Sequence, residues 1–357
     1  MKAVFRMDRE GALALLRRAP VVHVASTAED GEPLLRTVHA AVVDDRWLAF
    51  HGAPVGEKAE AVGRPAFVCA EETVATMPSY FLDAQRACPA TTYYVSAHVR
   101  GTLERVDDPR EKARALEALM HALQPEGGYA PIDAGHPLYA KTVASLLVVR
   151  VSLERLVGKA KLGQHRQPAD LARIVEALWK RGAPGDAAAI ERILAANPGV
   201  PAPPWLAGPG GTRLVCALGG DEVEAAAALV AGEYWNEGVG GERIARAMRA
   251  SSALVGARDA QGRLVATARA VGDGARHALV ADVCVAPDWR GRGLGQALVR
   301  LVLDHPAVRD ADCVRLGTRD AEGLYARFGF VDVREERGRP YASTSMVLRR
   351  ERARPAP

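Results

Sequence analysis

Cysteine is scarce in this chain. Its five residues, Cys69, Cys88, Cys216, Cys284 and Cys313, are odd in number, widely spaced and form no Cys-x-x-Cys. That pattern argues against a disulfide framework or a zinc site and for reduced thiols in a cytoplasmic protein. Long apolar runs are missing as well: none approaches the length of a membrane span. Asp8, Arg9 and Glu10 stand where a signal peptide would place its apolar region. Nor does one charge dominate, with 47 Lys and Arg against 43 Asp and Glu and a net charge of +4. The two signs are interspersed, and the basic end (Arg349, Arg350, Arg352, Arg354) reads as a solvated tail. The expectation is a soluble cytoplasmic protein with no metal site and neither nucleic acid nor membrane as partner.

At 357 residues the chain is long for one core, and two domains are expected. The stretch Asn197–Gly211, NPGVPAPPWLAGPGG, holds five prolines and four glycines in fifteen residues. Such a segment neither propagates a helix nor pairs in a sheet, so it reads as a linker. The expected division is a first domain over 1–196, the linker over 197–211, a second domain over 212–350 and a tail over 351–357.

Before the linker the pattern is rich in strands. A helix over Asp8–Arg18, N-capped by Asp8, precedes strands near Val21–Ser26, Leu34–Val43 and Trp47–His51. A short helix starts at Glu57. Further strands fit Ala66–Glu71, Thr92–Val106 (with a bulge at Gly101) and Ala144–Leu153. Asp108-Pro109 opens a helix with Leu116, Leu119, Met120 and Leu123 on one face, and helices over Pro168–Arg181 and Asp186–Ala196 close the domain. Strands with so little helix between them predict a small antiparallel barrel. After the linker the pattern is a strand (Arg213–Leu218), two helices (Asp221–Gly232, Glu242–Ala250), three strands, a glycine-loop helix, a strand (Cys313–Thr318), a helix at Tyr325 and a last strand pair. The fold class expected is therefore α+β, with an antiparallel barrel followed by a mixed α/β domain.

The glycine loop carries the strongest chemistry. An apolar strand, Ala278 to Val285, leads through a proline turn into Arg290-Gly-Arg-Gly293-Leu-Gly295, then a helix with Leu298, Leu301 and Val302 on one face. Glycine lets backbone approach a ligand, and a helix N-terminus offers unpaired N–H groups and partial positive charge, which suits a pyrophosphate. Thirty residues on stands Asp320-Ala-Glu-Gly-Leu-Tyr325-Ala-Arg-Phe-Gly329-Phe330. In this order the two segments resemble the GCN5-related N-acetyltransferases (GNAT), with the acyl-CoA signature Arg/Gln-x-x-Gly-x-Gly/Ala. The resemblance covers roughly Arg213 to Arg349. It implies that acetyl-CoA is bound by Arg290, Gly291, Arg292, Gly293 and Gly295 at the pyrophosphate and by the backbone at Val283 and Val285 along the pantetheine. It makes Tyr325 the acid that protonates the departing thiolate. Asp282 is the best-placed carboxylate for the base, with a capping or pairing role as the alternative. Gly329 is the expected C-cap of the Tyr325 helix, and Phe330 a packing residue. Trp235, Asn236 and Glu237 lie where the family shapes its acceptor pocket, with a solvated loop anchored by one Trp as the alternative. Glu322 stands where relatives often carry His.

The first half is similar to the FMN-binding split barrels of the pyridoxamine 5′-phosphate oxidase type, in the branch of nitroimidazole-resistance proteins. The residues that carry this are Leu35-Arg36-Thr37-Val38-His39 and Phe50-His51-Gly52-Ala-Pro-Val-Gly56-Glu57-Lys58-Ala59. By that resemblance Lys58 and Arg36 neutralise the FMN phosphate, with Gly56 and the backbone at Glu57 as N–H donors. Thr37, Val38, His51, Gly52 and Ser96 line the ring. The segment Gly158 to Arg166, including Gln164, resembles one that closes the site in regulator-like relatives. Oxidases proper have Ser-Arg-Lys where this chain has Gly56-Glu57-Lys58, and their Arg-x-His signature is not evident, so pyridoxamine phosphate oxidation is not expected. The resemblances imply a flavin-binding, oxidoreductase-like barrel, homodimeric through that barrel, joined to an acetyltransferase for a small-molecule amine. The alternative makes the barrel a non-catalytic flavin or haem sensor or dimerisation module.

Overall fold

The computed structural model describes residues 2–333, which divide between Arg166 and Gln167 into two units. The expected last strand pair, the basic tail and the end of the second domain lie outside the described residues.

The first unit runs β1 (Arg6–Met7), α1 (Arg9–Arg18), β2 (Val22–Thr27), β3 (Pro33–Val38), β4 (Ala41–Val43), β5 (Trp47–Gly52), α2 (Glu57–Glu60), β6 (Pro65–Met77), β7 (Thr91–Thr102), β8 (Glu104–Val106), α3 (Pro109–Leu123), α4 (Ala140–Ser145), β9 (Leu147–Ser152) and β10 (Leu156–Lys161). Two sheets, ordered β1-β10-β7-β6-β2-β3 and β4-β5-β9-β8, are antiparallel throughout and make the split barrel. Its core holds Leu15 and Leu16 of α1, Val95, Ala97 and Val99 of β7, and Val149 and Val151 of β9. Asp8 caps α1 through the Gly11 N–H at 2.7 Å, and Asp108 caps α3 through Arg110 and Glu111. Both caps were legible as acidic residues ahead of an apolar period.

Several strands differ from the sequence pattern for physical reasons. The apolar run Leu34–Val43 breaks because the chain leaves one sheet for the other at His39, whose ring bonds the carbonyls of Pro20 and Leu119. Likewise Thr92–Val106 splits at Leu103, whose N–H and C=O bond Arg64 and Gly63. The bulge falls between Thr73 and Ala75, not at Gly101, which stays in register with Ala66. Glycine is needed there for close approach: a Cβ would lie 2.7 Å from Val151 Cγ2. Leu116 and Leu119 are buried as expected, whereas Leu123, in the last turn of α3, is exposed.

The second unit runs α5 (Pro168–Arg181), α6 (Asp186–Ala196), β11 (Arg213–Val215), α7 (Asp221–Ala231), α8 (Gly241–Arg249), β12 (Ala253–Arg258), β13 (Leu264–Gly272), β14 (His277–Val285), α9 (Leu294–Asp304), β15 (Cys313–Arg315) and α10 (Glu322–Ala326). The sheet order is β11 to β15 in sequence, antiparallel except for the parallel pair β14–β15. Leu298, Leu301 and Val302 of α9 are buried, the face the sequence indicated. Helices α5 and α6 and the proline-rich stretch 197–211 fall within this unit, whereas the sequence pattern places the division at that stretch. Composition marks the stretch as non-helical, but does not show that Trp205 within it stacks on Trp179 of α5 at 4.4 Å.

Candidate functional site

In the second unit the site forms where β14 parts from β15. The two strands pair only from His277 to Leu279, so β14 runs on to Val285 with that edge open among the described residues. On its other edge β14 takes one extra residue between its pairings with Thr267 and Arg269. Asp282 lies in this bulge with φ +52°, a conformation Asp tolerates better than most residues. Its carboxylate is buried and engaged at both oxygens: Arg269 Nε donates at 2.5 Å and Trp235 Nε1 at 2.8 Å. The backbone at Val283 and Val285 follows directly, and the Val285 carbonyl accepts Arg290 Nε at 2.9 Å.

Beyond β14, Gly291 and Gly293 take φ +76° and +81°, the left-handed turn that swings the chain into α9. Ala297 is the first residue here whose N–H bonds back along the helix, to Gly293. The amides ahead of it are the orphan donors of a helix start. Gly295 faces Val285 and Leu324, at 3.9 and 3.8 Å from where a Cβ would stand. The two arginines of the loop differ. Arg290 pairs with Glu233 at 2.8 Å, whereas the Arg292 guanidinium lies 4.9 Å from the Trp289 ring centre and pairs with no carboxylate among the described residues.

Tyr325 is buried on α10, edge-on to Phe330 at 6.0 Å. The C-cap of α10 is Arg327 and not the expected Gly329, which at φ +84° closes the turn two residues later, where the Phe330 N–H bonds the Tyr325 carbonyl. Burial foremost, then Tyr234 and Asp320, raises the Tyr325 phenol above its ordinary value, so it is protonated at neutral pH. Sequence reasoning missed Tyr234, whose ring carries the Arg319 guanidinium at 3.7 Å and meets Trp235 edge-on at 4.9 Å. The Tyr-Trp pair after α7 was the available signal. Glu233 was missed too: it takes Arg290 and the Cys284 thiol, and burial first, then Glu233, pushes that thiol up to about 12. Of the expected acceptor-loop residues, Asn236 bonds the Val230 carbonyl and Glu237 is exposed; Glu322 is exposed on α10.

In the first unit, Arg36 near the end of β3 forms an ion pair with Glu57 at the start of α2. Lys58 folds over the end of β5, where a Cβ at Gly52 would stand 2.9 Å from its Cδ. No carboxylate pairs with Lys58 among the described residues. Burial, then Lys58 and His39, lowers the His51 pKa, so the ring is neutral at neutral pH. Thr37 bonds His23 through its hydroxyl at 3.1 Å, and Val38 is buried. Ser96 is buried mid-strand in β7, flanked in register by Glu71 and Lys159, and its hydroxyl has no hydrogen-bond partner among the described residues. Gln164 is committed locally: its amide oxygen accepts from Leu162 N–H and its NH2 donates to the Ala160 carbonyl, each at 2.8 Å. Arg36, Lys58, His51 and Gly52 thus gather around the β5–α2 turn.

Two family models match the chain: pyridoxamine 5′-phosphate oxidase over residues 8–160 and the acetyltransferase (GNAT) domain over residues 249–332. No curated protein matches it. Among solved structures, a Xanthomonas campestris pv. campestris protein described as belonging to the GNAT family is 31% identical. It aligns over 35% of this chain and 87% of its own, with a TM-score of 0.31. The FAD and haem binding protein of Mycobacterium smegmatis is 24% identical over 46% of this chain and 77% of its own, with a TM-score of 0.38. The flavocytochrome Anf3 of Azotobacter vinelandii is 20% identical over 45% and 72%, with a TM-score of 0.38.

Proposed function

From a chain that joins a pyridoxamine 5′-phosphate oxidase-like domain to a GNAT acetyltransferase domain, we propose an acetyl-CoA-dependent N-acetyltransferase of a small amine, coupled in one polypeptide to an FMN-binding barrel. The observation that carries the first half is the juxtaposition of the left-handed Gly291–Gly293 loop, the open edge of β14 and the buried phenol of Tyr325. The loop amides and Arg292 hold the pyrophosphate, and Val283 and Val285 lie along the pantetheine. A neutral amine attacks the thioester carbonyl, a C–N bond forms and the C–S bond breaks. The thiolate takes its proton from the Tyr325 hydroxyl, while the amine gives up its own to water. Asp282, with both oxygens engaged, serves to hold Arg269 and Trp235 and so the acceptor side of the site, rather than to remove that proton.

The residues around the β5–α2 turn fit a flavin phosphate at Lys58, which has no counter-ion among the described residues, and the orphan Ser96 hydroxyl fits a polar group on the ring. FMN bound there would supply redox chemistry. Arg36 positions Glu57, Lys58 positions the anion, and His51 stays neutral beside it. The Arg36–Glu57 pair favours a second reading, because it takes one expected cation from the phosphate. In that reading the barrel is a non-catalytic flavin or haem sensor or dimerisation module. We place the homodimer at this barrel and the protein in the cytoplasm.

The test is acetyl transfer from acetyl-CoA across a panel of small amines, read as free thiol, with flavin spectrum and solution mass on the same preparation. Thiol release without any amine dependence would overturn the transferase reading. A colourless monomer that takes up no FMN would overturn the reading of the barrel.

A further inference from the structure

We propose that residues 167–211, outside the spans of both family models, brace the acetyl-CoA loop, with the Pro209–Gly211 turn as one wall of the pyrophosphate pocket. The inference rests on the acetyl-CoA reading above. Helix α9 begins at the loop, and this stretch grips both of its ends.

At the C-terminal end, Trp179 of α5 donates its indole N–H to Asp304, the last residue of α9, at 3.0 Å. The same ring meets His305 edge-on at 5.5 Å. Arg309 donates to the carbonyls of Trp179 and Lys180 at 2.8 and 2.7 Å. Gly182 packs so tightly here that a Cβ would stand 2.5 Å from Pro306 Cβ.

At the N-terminal end, Gly210 takes φ +67° and lies against Trp289, 3.5 Å from ring to the place of a Cβ. Pro209 Cγ stands 4.0 Å from where a Cβ on Gly293 would be. The loop's Arg292 lies over that same Trp289 ring.

The two grips are tied to one another. Trp205 stacks on Trp179, Leu206 is fully buried, Ala207 bridges Arg213, and the Gly208 N–H bonds the Thr212 carbonyl at 2.8 Å. Glu191 of α6 accepts from Arg213 at 2.7 Å and from the Cys216 N–H at 2.9 Å, which fixes α6 to β11. A helix held at both ends cannot tilt, and its N-terminal donors are useful only within a few tenths of an ångström of the productive geometry. Trp179 and Gly210 are therefore positioning residues for the pyrophosphate.

The experiment measures CoA binding and acetyl-CoA kinetics on the full chain, with melting temperature as a fold control. Trp179→Phe removes one donor and keeps the ring stack, and Gly210→Val places a branched side chain against Trp289. Each is expected to raise the Kd for CoA and the KM for acetyl-CoA about three- to tenfold, and to change kcat less than KM. Asp304→Asn, which retains an acceptor for Trp179, should restore most of the affinity lost in Asp304→Leu. On the wild-type chain, CoA should slow hydrogen exchange at the Gly208 and Thr212 amides by at least about threefold. Variants that melt lower yet bind CoA as tightly, or exchange at Gly208 and Thr212 unaffected by CoA, would overturn the brace. A wild-type chain that binds no CoA would instead overturn the reading on which it rests.

Discussion

Asp282 accepts the indole N–H of Trp235 at 2.8 Å while its other oxygen holds Arg269, so a strand residue in a left-handed bulge fixes the loop after α7. An anchor and a base make different predictions. If Asp282 anchors, Asp282→Asn and Trp235→Phe both raise the KM for the acceptor. The double variant should then cost less than the sum of the two by about 0.5–3 kcal/mol. A kcat loss of about 10² in Asp282→Asn that Trp235→Phe does not share would make Asp282 the base.

In the acetyl-CoA reading proposed above, Gly293 is the residue whose backbone the pyrophosphate approaches. Gly293 sits at φ +81°, where an L side chain is strained by about 1–2 kcal/mol. Gly293→Val should raise the Kd for CoA at least about tenfold with the fold retained. Calorimetric titration with CoA checks it, and an unchanged Kd would remove the loop from the site.

Tyr325→Phe deletes one hydroxyl and keeps the packing against Phe330. Because charge on the thiolate develops only as the C–S bond breaks, kcat should fall by about 10²–10⁴ and acetyl-CoA binding should hold. Turnover within about twofold of wild type across the pH range would make Tyr325 a packing residue.

The elements that announced themselves in the sequence were those with local causes. Asp8 and Asp108 capped helices where an acid preceded an apolar period, and the glycines of the α9 loop stood where the backbone turns left-handed. What stayed hidden has non-local causes. The break at His39 depends on carbonyls 19 and 80 residues away, and the partners of Asp282 are 13 and 47 residues off. No period in either segment encodes those distances. The Arg36–Glu57 pair is the sharpest case, since the motif placed both residues at the site but could not show that they would bind one another.

That pair yields the prediction for the barrel. Lys58→Ala removes the cation with no carboxylate partner among the described residues and should raise the Kd for FMN about ten- to hundredfold, more at high salt. Glu57→Gln should do the reverse, because it frees the Arg36 guanidinium for the phosphate. Flavin fluorescence titration reads both. Equal affinity in the wild type and the two variants would place the flavin phosphate elsewhere.

His305, at the C-terminal end of α9, gives the folded state a pH dependence. It is buried at the end of α9, with Nδ1 accepting the Ala307 N–H at 3.1 Å. Burial first, and then the Arg309 charge, lowers its pKa to about 4 from 6.5. A base whose folded pKa is depressed binds fewer protons folded than unfolded between those values, so stability falls as pH drops from about 6.5 to about 4. The full shift corresponds to about 3 kcal/mol. Above pH 6.5 the ring is neutral in both states and contributes no pH dependence. His305→Asn keeps an acceptor for Ala307 but cannot gain the proton. Its urea midpoint should therefore decline less between pH 7 and pH 5 than that of the wild type. Parallel declines in the two proteins would show that the ring already titrates at its ordinary value in the folded state.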